Sequence, residues 1–173
     1  MNKYLSKLGY HGPNILIILI FLTFASQHIT SPYIYLLVIV WQMASHLLNI
    51  TIKNILQIKR PDSDKDPNFA LLKPTFANYL SIHKNYGMPS GHAQSTISEL
   101  TFIALYFKKP VLTVVALMQT CLTLWQRYET RRHSPIQLMA GSLLGVVVGW
   151  GFYLYFKTVI NYETIDDNMV TAL

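Results

Sequence analysis

Charge is scarce in this chain. Only 13% of its 173 residues are Asp, Glu, Lys or Arg, about half the share of a soluble domain. Acidic residues are the scarcer sign, 8 against 14 Lys and Arg, so the formal net charge is +6. Cysteine is almost missing. Cys121 stands alone, which excludes an intrachain disulfide and a cysteine-based metal site; within its apolar run it is expected as a small core residue. Internal repeats and low-complexity segments are missing too. No small-x-small site follows the first apolar run, so that run is expected to stay as a membrane helix rather than be cleaved. No nucleic-acid-binding motif accompanies the positive charge. What the chain has in plenty is hydrophobic residues, 51%, gathered in long runs. These features describe an all-α, polytopic transmembrane helical bundle, one membrane-embedded domain over 1–173.

About five spans are expected. The first runs from Pro13 to Thr30 after a short polar start, and the second from Tyr33 to Ile58. A long polar loop, Pro61 to Met88, separates it from the third span, Ser90 to Phe107. The fourth covers Val111 to Trp125 and the fifth Pro135 to Phe156, followed by a polar, loosely ordered tail. Gly141, Gly145 and Gly149 recur every four residues on the fifth span, a face suited to close helix packing. Glu99 lies inside the third span and is expected to face the protein interior. On the second span, Gln42, His46, Asn49, Lys53, Gln57 and Arg60 follow at helical spacing and form one polar stripe. Gln42, His46 and Asn49 suit interhelical hydrogen bonds. Lys53 and Arg60, at the helix end, suit a functional role.

The stretch Tyr86-Gly87-Met88-Pro89-Ser90-Gly91-His92 marks the start of the third span. Pro89 suits the beginning of a helix and Ser90 is a good N-cap. Gly91 permits close approach to the backbone. The unpaired N–H groups of that first turn favour an anion, and His92 adds a group that exchanges protons near neutral pH.

Topology brings further groups to the same end. The second span delivers Lys53 and Arg60 there, the third starts there, and the fourth ends there, followed by Arg127 to His133. Three cations around a helix N-terminus suit a phosphate or diphosphate. One histidine can attack phosphorus while the other protonates the departing oxygen. This scheme calls for no metal or other cofactor.

Three spaced motifs now stand in order: Lys53-x6-Arg60-Pro61, Pro89-Ser90-Gly91-His92 and Arg127-x5-His133. The pattern, over about residues 49–150, resembles the type 2 phosphatidic acid phosphatase and vanadium haloperoxidase superfamily. That resemblance implies His133 as nucleophile and His92 as general acid. It implies that Lys53, Arg60, Ser90, Gly91 and Arg127 hold the phosphoryl group. Gln126 stands where the family has Ser, and Gln137 where it has the Asp that orients the nucleophilic imidazole. Gln137 can accept a hydrogen bond in that orienting role without the charge; Ser134-Pro135-Ile136-Gln137 is also a capping-box pattern. Ile52-Lys53-Asn54, Tyr86-Gly87-Met88-Pro89-Ser90 and Gln137 look similar to the dolichyl-diphosphate phosphatase branch.

The expectation is an integral, multi-pass membrane phosphatase acting on a lipid phosphate or diphosphate, a polyprenyl diphosphate being one candidate, through a phosphohistidine. Its membrane would be the endoplasmic reticulum in a eukaryote or the plasma membrane in a bacterium. Two alternatives stand beside it. One is a catalytically silent lipid-phosphate binder. The other is a metal-dependent transferase using Asp62, Asp64 and Asp66, although a flexible acidic stretch is more often solvated surface. The positive-inside rule places the motif-bearing end in the cytoplasm, whereas the resemblance implies the lumenal or extracytoplasmic side.

Overall fold

A computed structural model describes residues 3–29, 31–61 and 86–170, with side chains described up to residue 160. All six helices among them run in chain order around one bundle. The polar start is itself helical: α1 (Lys3–Tyr10) joins α2 (Gly12–Ser26) at a 62° bend. Eight residues are too few to show a helical period, and tertiary contact decides the matter. Gly9 lies against Leu122 and Gln126, and Gly12 against Thr123, so closely that a Cβ at either position would collide. These glycines let α1 and the start of α2 lie directly on a neighbouring helix.

Helix α3 (Pro32–Leu56) begins with Pro32 in its first turn and ends at Gln57, which is left-handed at φ 50°. The second span therefore stops short of Ile58, and Arg60 does not continue its stripe. Instead Lys59 pairs antiparallel with Tyr86, and the Gly87 N–H donates to the Ile58 carbonyl at 2.8 Å. Arg60 is carried by this pairing, which joins the chain on either side of residues 62–85; the expected long loop lies mostly outside the described residues. The stripe is narrower than expected in another respect: Asn49 and Lys53 are buried, but His46 is exposed.

Ser90 caps α4 (Gly91–Tyr106), its hydroxyl accepting from the Ala93 N–H at 3.4 Å. Helix α5 (Pro110–Glu129) returns to the same end and presents Ala116, Thr120, Thr123 and Arg127 inward. Cys121 falls one residue off that face and is exposed, not in the core. Helix α6 (Pro135–Val170) extends well beyond Phe156. Between Lys157 and Val170 no Pro or Gly interrupts it, so the expected loose tail is helical to Val170.

Packing centres on α4. Gly141, Gly145 and Gly149 of α6 rest on the α4 backbone at Ser90, Gln94 and Ser98. Aromatic rings fill the end of α4 remote from Ser90. Phe24, Phe102, Phe107 and Phe156 meet there, and Trp41 stacks on Phe152 with centroids 4.2 Å apart. A polar seam joins α3 to α4. Gln42 Nε2 donates to Glu99 Oε1 at 2.8 Å, Asn49 Nδ2 to Gln94 Oε1 at 2.6 Å, and Gln94 Nε2 to the Ser45 hydroxyl at 2.9 Å. These side chains supply each other's partners along the seam, and only Glu99 Oε2 is left without one there.

Two helical stretches, Pro32–Leu56 and Pro135–Ile160, are long and apolar enough to cross a membrane, and the bent α1–α2 pair makes a third if taken as one span. Helix α4, with 16 residues, falls short of the roughly 20 that a straight crossing needs.

Candidate active site

The three motif segments meet at one end of the bundle. Lys53 is buried on the last turns of α3. A Cβ on Gly91 would lie 3.8 Å from its Nζ and 3.2 Å from Asn49 Oδ1. Glycine at 91 therefore leaves room for the ammonium beside the first turn of α4. Arg127 closes the cluster from the last turn of α5, buried and 5% exposed. Neither Lys53 nor Arg127 has a carboxylate partner among the described residues. Arg60, lying outside the helices, is pulled below its ordinary pKa by burial and by Arg132.

The Arg127-x5-His133 spacing has a local cause. After α5 the chain turns back through Arg131, left-handed at φ 53°. The N–H groups of Arg132 and His133 then both donate to the Arg127 carbonyl, at 3.1 and 3.3 Å. Five intervening residues thus return the imidazole to the helix end that carries the guanidinium.

His133 is 3% exposed, and its Nδ1 lies 3.0 Å from the Gly87 carbonyl. A carbonyl only accepts, so Nδ1 carries the proton and Nε2 keeps its lone pair. Burial first, then Arg60, Lys53 and Arg127, push the His133 pKa down from 6.5 to about 3, against the Gly87 hydrogen bond that raises it. The ring is neutral at pH 7, as a nucleophile requires.

His92 occupies the second position of α4, and its Nε2 meets Arg127 Nη2. A guanidinium only donates, so this nitrogen accepts. The same three cations, Arg127, Lys53 and Arg60, act electrostatically on His92 as on His133. Both imidazoles thus share one electropositive cluster.

Gln137 is placed differently from its expected orienting role. Its side chain does not bond the imidazole, because the Gly87 carbonyl holds that position. Gln137 Oε1 accepts from the Ser134 N–H at 3.2 Å while its own N–H donates to Ser134 Oγ at 3.3 Å, a reciprocal capping box. Its Nε2 donates to the Lys59 carbonyl at 2.8 Å, and its backbone carbonyl accepts from the Ser90 N–H at 3.0 Å. Gln137 therefore ties all three motif segments together. Gly87 packs so tightly on it that a Cβ there would lie 2.5 Å from Gln137 Oε1.

A model of the PAP2 superfamily matches residues 32–161. The chain belongs to the PAP2 superfamily. Its members are generally phosphatases acting on phosphate esters. No curated protein and no solved structure matches the chain. The PAP2 match takes in every motif residue above but leaves out α1 and α2.

One participant escaped the sequence reading. Tyr10, the last residue of α1, lies against His92 with ring centroids 5.5 Å apart, and its ring centroid is 4.9 Å from the Arg127 guanidinium carbon. No spacing rule connects residue 10 to a motif 80 residues later; only the Gly9 and Gly12 contacts with α5 bring it there. Asp62, Asp64 and Asp66 lie outside the described residues. Beside the α5–α6 turn, an apolar crevice of about 520 Å³ opens between Trp125, Tyr128, Leu138, Met139 and Leu143.

Proposed function

We propose that this PAP2 protein is a multi-pass membrane phosphatase that hydrolyses a lipid phosphate or diphosphate through a phosphohistidine at His133. The observation that carries this reading is the neutral His133, held through Nδ1 by the Gly87 carbonyl among cations of which Lys53 and Arg127 have no carboxylate partner among the described residues. Buried cations without a counter-charge are costly, and an oxyanion is the group that relieves the cost.

The chemistry follows from that placement. Lys53, Arg60, Arg127 and the N–H groups of the first turn of α4 hold the phosphoryl oxygens. The Nε2 lone pair of His133 attacks phosphorus, a P–N bond forms, and the P–O bond to the lipid breaks. His92 gives its proton to the departing oxygen. Water then attacks phosphorus, His92 takes up its proton, the P–N bond breaks and phosphate leaves. Phosphate charge draws Arg127 from His92 Nε2, freeing that nitrogen to carry the proton. The cations supply the charge stabilisation that a metal would otherwise bring. The apolar crevice beside the site and the long apolar helices support a substrate with a hydrocarbon tail. The resemblance at Tyr86 to Ser90 and at Gln137 supports a polyprenyl diphosphate.

The test is phosphate release from lipid mono- and diphosphates by purified protein in excess chelator. Release is expected, and His133→Ala should lower it by about a thousandfold or more. Release that survives His133→Ala refutes the reading. The silent-binder alternative draws on the Arg127–His92 contact, since a nitrogen accepting from arginine is not yet a proton donor. Headgroup binding without turnover would favour it.

A further inference from the structure

Helix α1 lies outside the segment that the PAP2 match covers, yet its last residue touches two groups of the site. The contact has a structural origin. The α1–α2 bend falls at His11, and Gly9 and Gly12 lie hard against α5 on either side of it. Tyr10 is consequently fixed between two close backbone contacts. Its ring is half exposed, so one face meets the site and the other faces outward.

We infer that Tyr10 is a positioning residue of this site: its ring holds the Arg127 guanidinium and packs against the His92 imidazole, keeping both in register for one phosphoryl group. Arg127 needs such help. Its Nε is buried without a hydrogen-bond partner, and its Nη2 turns to His92. An aromatic face opposite the guanidinium restrains it by cation–π attraction without competing for its N–H donors. The donors are thus left for phosphate oxygens. This role rests on the phosphoryl-binding part of the proposed function but not on turnover, so the two can fail separately.

The separating experiment measures inorganic phosphate binding and, in parallel, kcat/KM for p-nitrophenyl phosphate. Tyr10→Ala is expected to weaken phosphate binding about tenfold, in line with a partly desolvated cation–π contact. Tyr10→Phe keeps ring and backbone and is expected to stay within about twofold of the parent. Leu8→Ala, on the exposed side of α1, should change neither quantity. If kcat/KM is measurable, it should follow the same order. Equal phosphate affinity in Tyr10→Ala and the parent overturns the inference, whatever the turnover. So does a Tyr10→Phe loss as large as that of Tyr10→Ala, because the hydroxyl rather than the ring would then be responsible. A folding defect in Tyr10→Ala is separated by thermal unfolding and by Tyr10→Leu, which fills similar space without a π face and should bind phosphate as weakly as Tyr10→Ala; Tyr10→Leu binding as tightly as the parent also overturns it.

Discussion

Replacing Gln137 by alanine deletes two side-chain hydrogen bonds, from the Ser134 N–H at 3.2 Å and to the Lys59 carbonyl at 2.8 Å. Losing the capping interaction costs about 1 kcal/mol, and leaving the Lys59 carbonyl without its donor costs about 1 kcal/mol more. A loss of about 2 kcal/mol lowers Tm by about 4–8 °C in a chain of this length. The bond from His133 Nδ1 to the Gly87 carbonyl does not involve the Gln137 side chain. Turnover should therefore fall by no more than about tenfold, through loosening of the clasp around Gly87. A group that orients the imidazole directly behaves otherwise: neutralising the orienting aspartate of a serine-protease triad costs about 10⁴ in kcat. The assay is phosphate release from a lipid phosphate in detergent with chelator, together with thermal unfolding of the same preparations. A fall in kcat beyond about 10³ at unchanged Tm would refute the reasoning and return Gln137 to a direct orienting role.

Two further outcomes follow from the same coordinates. His133 sits at about 3 when folded and 6.5 otherwise, so between those values the unfolded chain holds the extra proton. Its contribution to stability is full above pH 6.5 and is lost as pH falls toward 3; His133→Gln should flatten the pH dependence of Tm between about 6.5 and 4, and an unchanged slope would count against the burial described. A Cβ at Gly141 would collide with the Ser90 carbonyl and lie 3.1 Å from the Ser90 nitrogen. Gly141→Ala should cost about 1–3 kcal/mol by overpacking and weaken phosphate binding, while Gly151→Ala, with no atom within 4 Å of its Cβ, serves as the neutral comparison; equal unfolding of the two variants would contradict the α4–α6 packing.

Much of this arrangement was legible in side-chain identity. Ser90 reads as an N-cap and is one; the glycine face of α6 reads as a packing surface and lies on α4; Glu99 reads as interior and is 1% exposed. The helical class also follows from the apolar runs, although among the described residues length and apolarity alone single out only Pro32–Leu56, Pro135–Ile160 and the bent first pair as candidate crossings. What escaped was mostly backbone. The partner of His133 is a carbonyl, at a position whose side chain is a hydrogen atom. The end of α3 depends on a left-handed Gln57, a conformation that glutamine does not advertise. Tyr10 reaches the site through glycines whose meaning appears only once α5 is beside them. At 137 both roles fitted the residue type, and only geometry chooses the cap over direct contact.

The clasp of Lys59 with Tyr86, closed by the Gly87 N–H on the Ile58 carbonyl, works like the collar of a drawstring. Lys59 on one strand of that collar is anchored by Gln137 and Gly87 on the other by His133, so the chain leaves the motif-bearing end and re-enters it at one tied neck. An engineer seeking a site for a foreign insert would leave that neck tied and cut between its two strands.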